Sequence, residues 1–148
     1  MRRLSSFRSR FEELSRGERW LLGRAVIVVM VTRGALWCGG FRLARRAARF
    51  AAAAPGGLSI DRAVWAVTAA SRYVPGATCL TQAVALQALL ARAGVDCRVH
   101  LGVAQDSPDG RAVDAHAWAV CGERIVIGST ARGKYQPLGA LDSYGHIL

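Results

Sequence analysis

Pro75-Gly76-Ala77-Thr78-Cys79-Leu80-Thr81-Gln82-Ala83-Val84-Ala85-Leu86-Gln87-Ala88-Leu89-Leu90 is the stretch that decides the architecture of this chain. The Pro-Gly pair breaks whatever precedes it, and Thr78 is a residue type whose side-chain oxygen accepts from the first unpaired amides of a helix. The helix so opened runs to Arg92 and closes at Gly94, a residue suited to the left-handed conformation of helix ends. It is apolar on nearly every side, which marks a central, buried element rather than a surface one. Cys79 is its first residue. A thiol in the positive field of unpaired amides is favoured as the thiolate, and the thiolate is a nucleophile. Most cysteines near helices only pack, as small hydrophobes, so the reading of Cys79 depends on the strands downstream of it.

After Gly94 the apolar period switches from helical to alternating. Cys97, Val99, Leu101 and Val103 are separated by Arg98, His100 and Gly102, the pattern of a half-buried strand. Gln105 to Gly110 reads as a polar loop with an Asp109-Gly110 turn. A second strand spans Ala112 to Cys121, Gly122 turns the chain, and a third strand spans Arg124 to Ile127. A helix followed by an antiparallel meander is an α+β plan. From Gly128 the tail reads as irregular, with Tyr135, Pro137, Leu138 and Leu141 tacking it onto the core.

Upstream, the chain is basic. Residues 1–50 hold 12 arginines against Glu12, Glu13 and Glu18, a net of +9, whereas 51–148 hold 8 Lys+Arg against 7 Asp+Glu, a net of +1. Such a segment meets nucleic acid, an anionic membrane or an acidic protein, or is simply a solvated face. No nucleic-acid motif, phosphate-cradling loop or metal cluster is visible, so no nucleic-acid partner, metal or cofactor is expected. Ser15-Arg16-Gly17-Glu18 matches a capping box and opens a hydrophobic helix over 16–36. Its uninterrupted apolar run, Ala25 to Val31, is seven residues, while a membrane span needs about 20. Arg24 and Arg33 bracket it, and a signal peptide fits poorly. We therefore read this helix as packed in the domain or against a partner, with peripheral membrane contact through the N-terminal helices as the lesser option. A shorter basic helix runs from Phe41 to Ala53, with Arg42, Arg45, Arg46 and Arg49 on its exposed side.

Ala54-Pro55-Gly56-Gly57 is the clearest linker and divides the chain into a basic N-terminal helical segment, 1–54, and a chemistry-bearing domain, 55–148. Ser59 caps the next helix, with Asp61 in its first turn and Ile60, Ala63, Val64 and Val67 as its apolar stripe. The 148 residues, 52% hydrophobic, suffice for a core without staples. None of the four cysteines (Cys38, Cys79, Cys97, Cys121) makes a C-x-x-C pair, which points to free thiols and a reducing cytoplasm.

The second strand carries Asp114-Ala115-His116-Ala117-Trp118-Ala119-Val120. A period of two puts Asp114, His116, Trp118 and Val120 on one face and three alanines on the other. Where the first face looks toward the start of the Cys79 helix, His116 can take the thiol proton. It then returns that proton to a leaving amine while the helix amides stabilise the oxyanion. A hydrogen-bonded core histidine and a packing tryptophan are the plain alternative. A nucleophile opening a buried helix, followed by a base on a neighbouring strand, is the plan of papain-like and transglutaminase-like cysteine enzymes.

Cys79-Leu80 opening an Ala/Leu-rich helix, Leu89-Leu90-Ala91-Arg92-Ala93-Gly94 closing it, the Leu101-Gly102-Val103 strand, Ala115-His116-Ala117-Trp118 and the Gly122 turn come in an order that resembles the transglutaminase-like leader peptidases of lasso-peptide biosynthesis. The similarity covers roughly residues 55–140 and the short form, the peptidase half of a B protein split into two chains. The resemblance implies a transglutaminase-like catalytic domain over 55–148 and a cysteine protease that removes the leader from a ribosomally made precursor. A separate leader-binding domain protein and an ATP-dependent lasso cyclase would be its partners. Cys79 would be the nucleophile, His116 the base and Trp118 a wall of the site. The family completes its triad with an acidic residue on the strand after the histidine strand. Here that neighbourhood reads Ile125-Val126-Ile127-Gly128-Ser129-Thr130, without a carboxylate. Asp114, Glu123, Asp142, Ser129 and a backbone carbonyl all stay open as the group that orients the imidazole.

Overall fold

The computed structural model describes residues 14–52, 57–104, 115–128 and 135–141. Three helices, α1 (Arg16–Ala51), α2 (Ile60–Ser71) and α3 (Cys79–Arg92), precede four strands, β1 (Arg98–Ala104), β2 (Ala115–Cys121), β3 (Arg124–Ile127) and β4 (Tyr135–Leu141).

The cap that opens α1 is the one its sequence spells. Ser15 Oγ accepts from the Glu18 amide at 3.2 Å, and Glu18 Oε2 accepts from the Ser15 amide at 2.8 Å. These bonds hold the Glu18 carboxyl below its ordinary range, the Ser15 side chain first. Ser15→Ala is expected to cost about 1 kcal/mol of stability, read as a shift in the denaturant midpoint. Leu21, Leu22, Ala25, Val28, Val29 and Thr32 turn inward at helical spacing and are buried. The Thr32 hydroxyl answers its burial by donating to the Val28 carbonyl at 2.7 Å.

At Gly40 the backbone leaves the helical region (φ 74°, ψ −170°), so α1 is two helical segments joined by a kink. The second segment buries Ala44, Arg45 and Ala48. Arg45 thus departs from the exposed side expected of it. The kink turns its stem onto α3, beside Val84, Gln87 and Ala88, and its guanidinium stands 5.7 Å from the Phe41 ring. A long aliphatic stem with a charged end tolerates such a place.

Ser59 and Thr78 cap α2 and α3 as their sequences require, accepting from the amides of Arg62 and Thr81, both at 3.4 Å. Every residue of α3 from Ala83 to Leu90 is buried, so the helix is the central element expected. One core joins α1, α2, α3 and the inner face of the sheet.

The sheet is antiparallel throughout, in the order β3-β2-β1-β4. Cys97, Val99, Ala117, Ala119, Cys121 and Ile127 are buried on the side that joins the core, and the two alanines leave room for the helical layer. Cys97 and Cys121 face each other across the first two strands, the Cys121 thiol donating to Cys97 Sγ at 2.8 Å. That neighbour, together with burial, pushes the Cys97 thiol upward. All four cysteines are free thiols. An ion pair between Arg124 and Asp61 ties β3 to the first turn of α2. Both partners are exposed, which limits its worth to at most about 1 kcal/mol.

The tail corrects the sequence reading. Residues 135–141 are a fourth strand on the free edge of β1, not irregular chain. Pro137 and Gly139 argue against a strand, yet an edge strand tolerates proline. The ladder also shifts register between Leu101 and Gly102, which leaves Leu138 unpaired and 69% exposed. The expected 105–110 loop and the first residues of the second strand, 112–114, lie outside the described residues.

Candidate active site

The placement of Cys79 and His116 is set by how the chain returns after α3. Val95 donates to the Leu90 carbonyl at 2.9 Å beyond the Gly94 turn, and the buried Gln87 Nε2 donates to the Cys97 carbonyl at 2.8 Å. The start of β1 is thereby pinned to the middle of α3. From Gln87 back to Cys79 the helix rises about 12 Å. From Cys97 to Gly102, the residue opposite His116, the strand rises about 16 Å.

Cys79 is half-buried and packs against the core. His116 is also half-buried, and its ring stacks on Tyr135 (centroids 5.2 Å apart, planes 23° apart). Beside it, His100 stacks on Trp118 (5.7 Å, 12°). These rings share the sheet face opposite Ala117 and Ala119, as the alternation of the strand requires. His116 Nε2 is buried and has no hydrogen-bond partner among the described residues. No hydrogen bond joins it to Cys79 among them either. It is the alanine face of β2 that packs on the helices, so His116 lies on the opposite sheet face and does not look toward the start of α3 as expected of it.

Two contributors were not visible in the sequence as site residues. Tyr135 covers His116 only because β4 pairs with β1, a long-range contact with no local signature. Arg33, on α1, reaches the turn that leads into Cys79: a Cβ placed on Gly76 would lie 3.0 Å from Arg33 Nη2. Arg33, Gly34, Trp37 and Pro75 line a cleft of about 250 Å³ beside that turn.

A sequence model of the transglutaminase-like superfamily matches residues 25–140, well over half of the chain. The chain belongs to the transglutaminase-like superfamily. Its matched region begins inside α1 and ends in β4. No curated protein and no solved structure matches the chain.

For a transglutaminase-like site, the group that orients the imidazole is the open position. Glu123 is exposed in the turn after β2, at the end of the strand away from His116. About 16 Å of strand separates His116 from Cys121, just before that turn, which removes Glu123 from the candidates. Gly128 cannot be a side-chain donor: it lies flat against the histidine strand, and a Cβ there would fall 2.8 Å from Trp118 Cβ and 2.9 Å from the Ala117 carbonyl oxygen. Asp114, Ser129 and Asp142 lie outside the described residues. Among the described residues no three His, Cys, Asp or Glu side chains converge as a metal site.

Burial lowers the pKa of His100, and Arg98 adds to the effect. A base whose folded pKa is depressed is carried neutral in the fold, so its charging penalty opposes folding as pH falls. Stability should decline as pH drops from about the unfolded histidine value of 6.5, and His100→Gln should flatten that limb. Denaturant midpoints measured against pH for both proteins check this.

Proposed function

We propose that this transglutaminase-like chain is a cysteine peptidase that removes the leader from a ribosomally made lasso-peptide precursor. Cys79 is its nucleophile and His116 its base. The observation that carries the reading is the start of α3: a cysteine immediately after the Thr78 cap of a buried helix, in a chain of the transglutaminase-like superfamily. Cys79 Sγ attacks the carbonyl of the last leader residue while His116 takes the thiol proton. The unpaired amides at the helix start stabilise the oxyanion. Collapse of the tetrahedral intermediate breaks the C–N bond, the imidazolium gives its proton to the leaving amine, and the leader is held as a thioester that water hydrolyses. The core peptide leaves with a free N-terminal amine for a separate ATP-dependent cyclase. Trp118 walls the site. The reading places the enzyme in the cytoplasm with a separate leader-binding protein.

The test is incubation of the full chain with precursor and leader-binding protein, with the products read by mass spectrometry. Leader and core fragments are expected. Intact precursor with the unmodified protein, under conditions where the leader-binding protein holds the precursor, would overturn the reading.

A second reading rests on the unpartnered His116 Nε2 and on the absence of a Cys79–His116 hydrogen bond among the described residues. In that reading the chain is a catalytically weak scaffold that holds precursor and maturation partners together. It predicts precursor binding that survives loss of the Cys79 sulfur and no cleavage at all.

A further inference from the structure

The first segment of α1 has an outward face that none of the described elements covers. Trp20, Ile27, Met30 and Trp37 succeed one another at intervals of seven, three and seven residues, which keeps them on one side of a helix. They are 48%, 44%, 50% and 84% exposed. Gly23 and Gly34 occupy the places between, each with open space where a Cβ would stand. The result is an apolar stripe about 25 Å long with a tryptophan at each end. Exposed apolar runs of this kind mark interaction surfaces rather than ordinary surface.

We propose that this stripe seats α1 on an anionic membrane surface, with the helix lying in the headgroup plane. Charge selects the occupant. Arg16 and Arg19 are exposed before the stripe, Arg42 and Arg46 are exposed beyond the Gly40 kink, and the only acidic residue of α1, Glu18, is engaged in the Ser15 cap. Both ends of the stripe are positive, so a second copy laid against it brings arginines together whether the helices run parallel or antiparallel. An anionic headgroup layer suits these arginines, and tryptophans are well suited to the interface. By length and composition α1 could cross a membrane. Its inner face, however, is the domain core, and crossing would require that core to open. Lying on the surface uses only what is exposed. This inference stands independently of the proposed chemistry.

The test is flotation of the full chain with phosphatidylcholine vesicles, with and without phosphatidylglycerol, at about 0.1 M salt, where charges act over about 10 Å. The chain is expected to float with the anionic vesicles, with a blue shift of tryptophan emission, and to remain below with phosphatidylcholine alone. Trp20→Gln with Met30→Gln should weaken partitioning about tenfold. Arg42→Gln with Arg46→Gln should weaken it by about as much on anionic vesicles. Both variants should keep the circular dichroism of the parent. Failure to float with anionic vesicles would overturn the proposal, as would a folded stripe variant that floats like the parent. So would a solution dimer that the stripe substitutions convert to monomer, since a second copy would then be what covers the face.

Discussion

Cys79→Ala and His116→Ala are each expected to lower leader release by about ten-thousand-fold or more, and the double variant is expected to lose no more than either single one. A nucleophile and its base act as one unit: without the sulfur there is no thioester to form, and without the ring no acceptor for the thiol proton. What survives in each case is binding alone. Loss of fold would not account for the result, because Cys79 is half-buried at a helix start capped by Thr78, and alanine leaves that cap intact. Single-turnover cleavage, read by mass spectrometry with the enzyme and leader-binding protein in excess over precursor, compares all three variants. Additive losses would mean that the two residues act separately, contrary to a thiolate–imidazolium pair.

The second large effect concerns stability. Gly128→Ala should destabilise the fold by about 3 kcal/mol, combining a left-handed conformation and a forced contact. Gly128 sits at φ 81°, and its would-be Cβ meets a carbonyl oxygen and the stem of Trp118 rather than the free end of a flexible chain. A loss of that size is a large share of the stability of a small domain. The same geometry predicts that Gly128→Asp does not supply the acid absent from the strand after His116; it should unfold the protein instead. Urea titration checks both variants, with the midpoint falling and the slope unchanged. A midpoint within the error of the parent would show that the turn after β3 is looser than described.

The parts of the fold written locally could be read from the residues. Ser15, Ser59 and Thr78 announce three helix starts, and Gly94 announces the end of α3. The alternation around Val99 shows which face of β1 is inward, whereas on β2 it is the alanine face, not the His116 face, that packs on the helices. Contacts between distant segments could not be read. Pro137 and Gly139 hide a strand whose existence depends on the free edge of β1. Arg45 looks exposed until the Gly40 kink turns it onto α3. Of the site, Cys79 and His116 stand out by their residue types and surroundings. Tyr135, Arg33 and the closeness of Gly128 to Trp118 have no signature in sequence, because each arises only when separate elements pack. The superfamily match confirms the fold, and it leaves the chemistry of the Cys79–His116 pair to experiment.

That pair can be probed directly with a leader peptide ending in a chloromethyl ketone, added to the full chain with the leader-binding protein, and the adduct then mapped by digestion and mass spectrometry. A single adduct on Cys79, lost in His116→Ala, is the result predicted. Labelling that falls on the exposed Cys38 instead, or a Cys79 that stays unmodified while the peptide is bound, would contradict it.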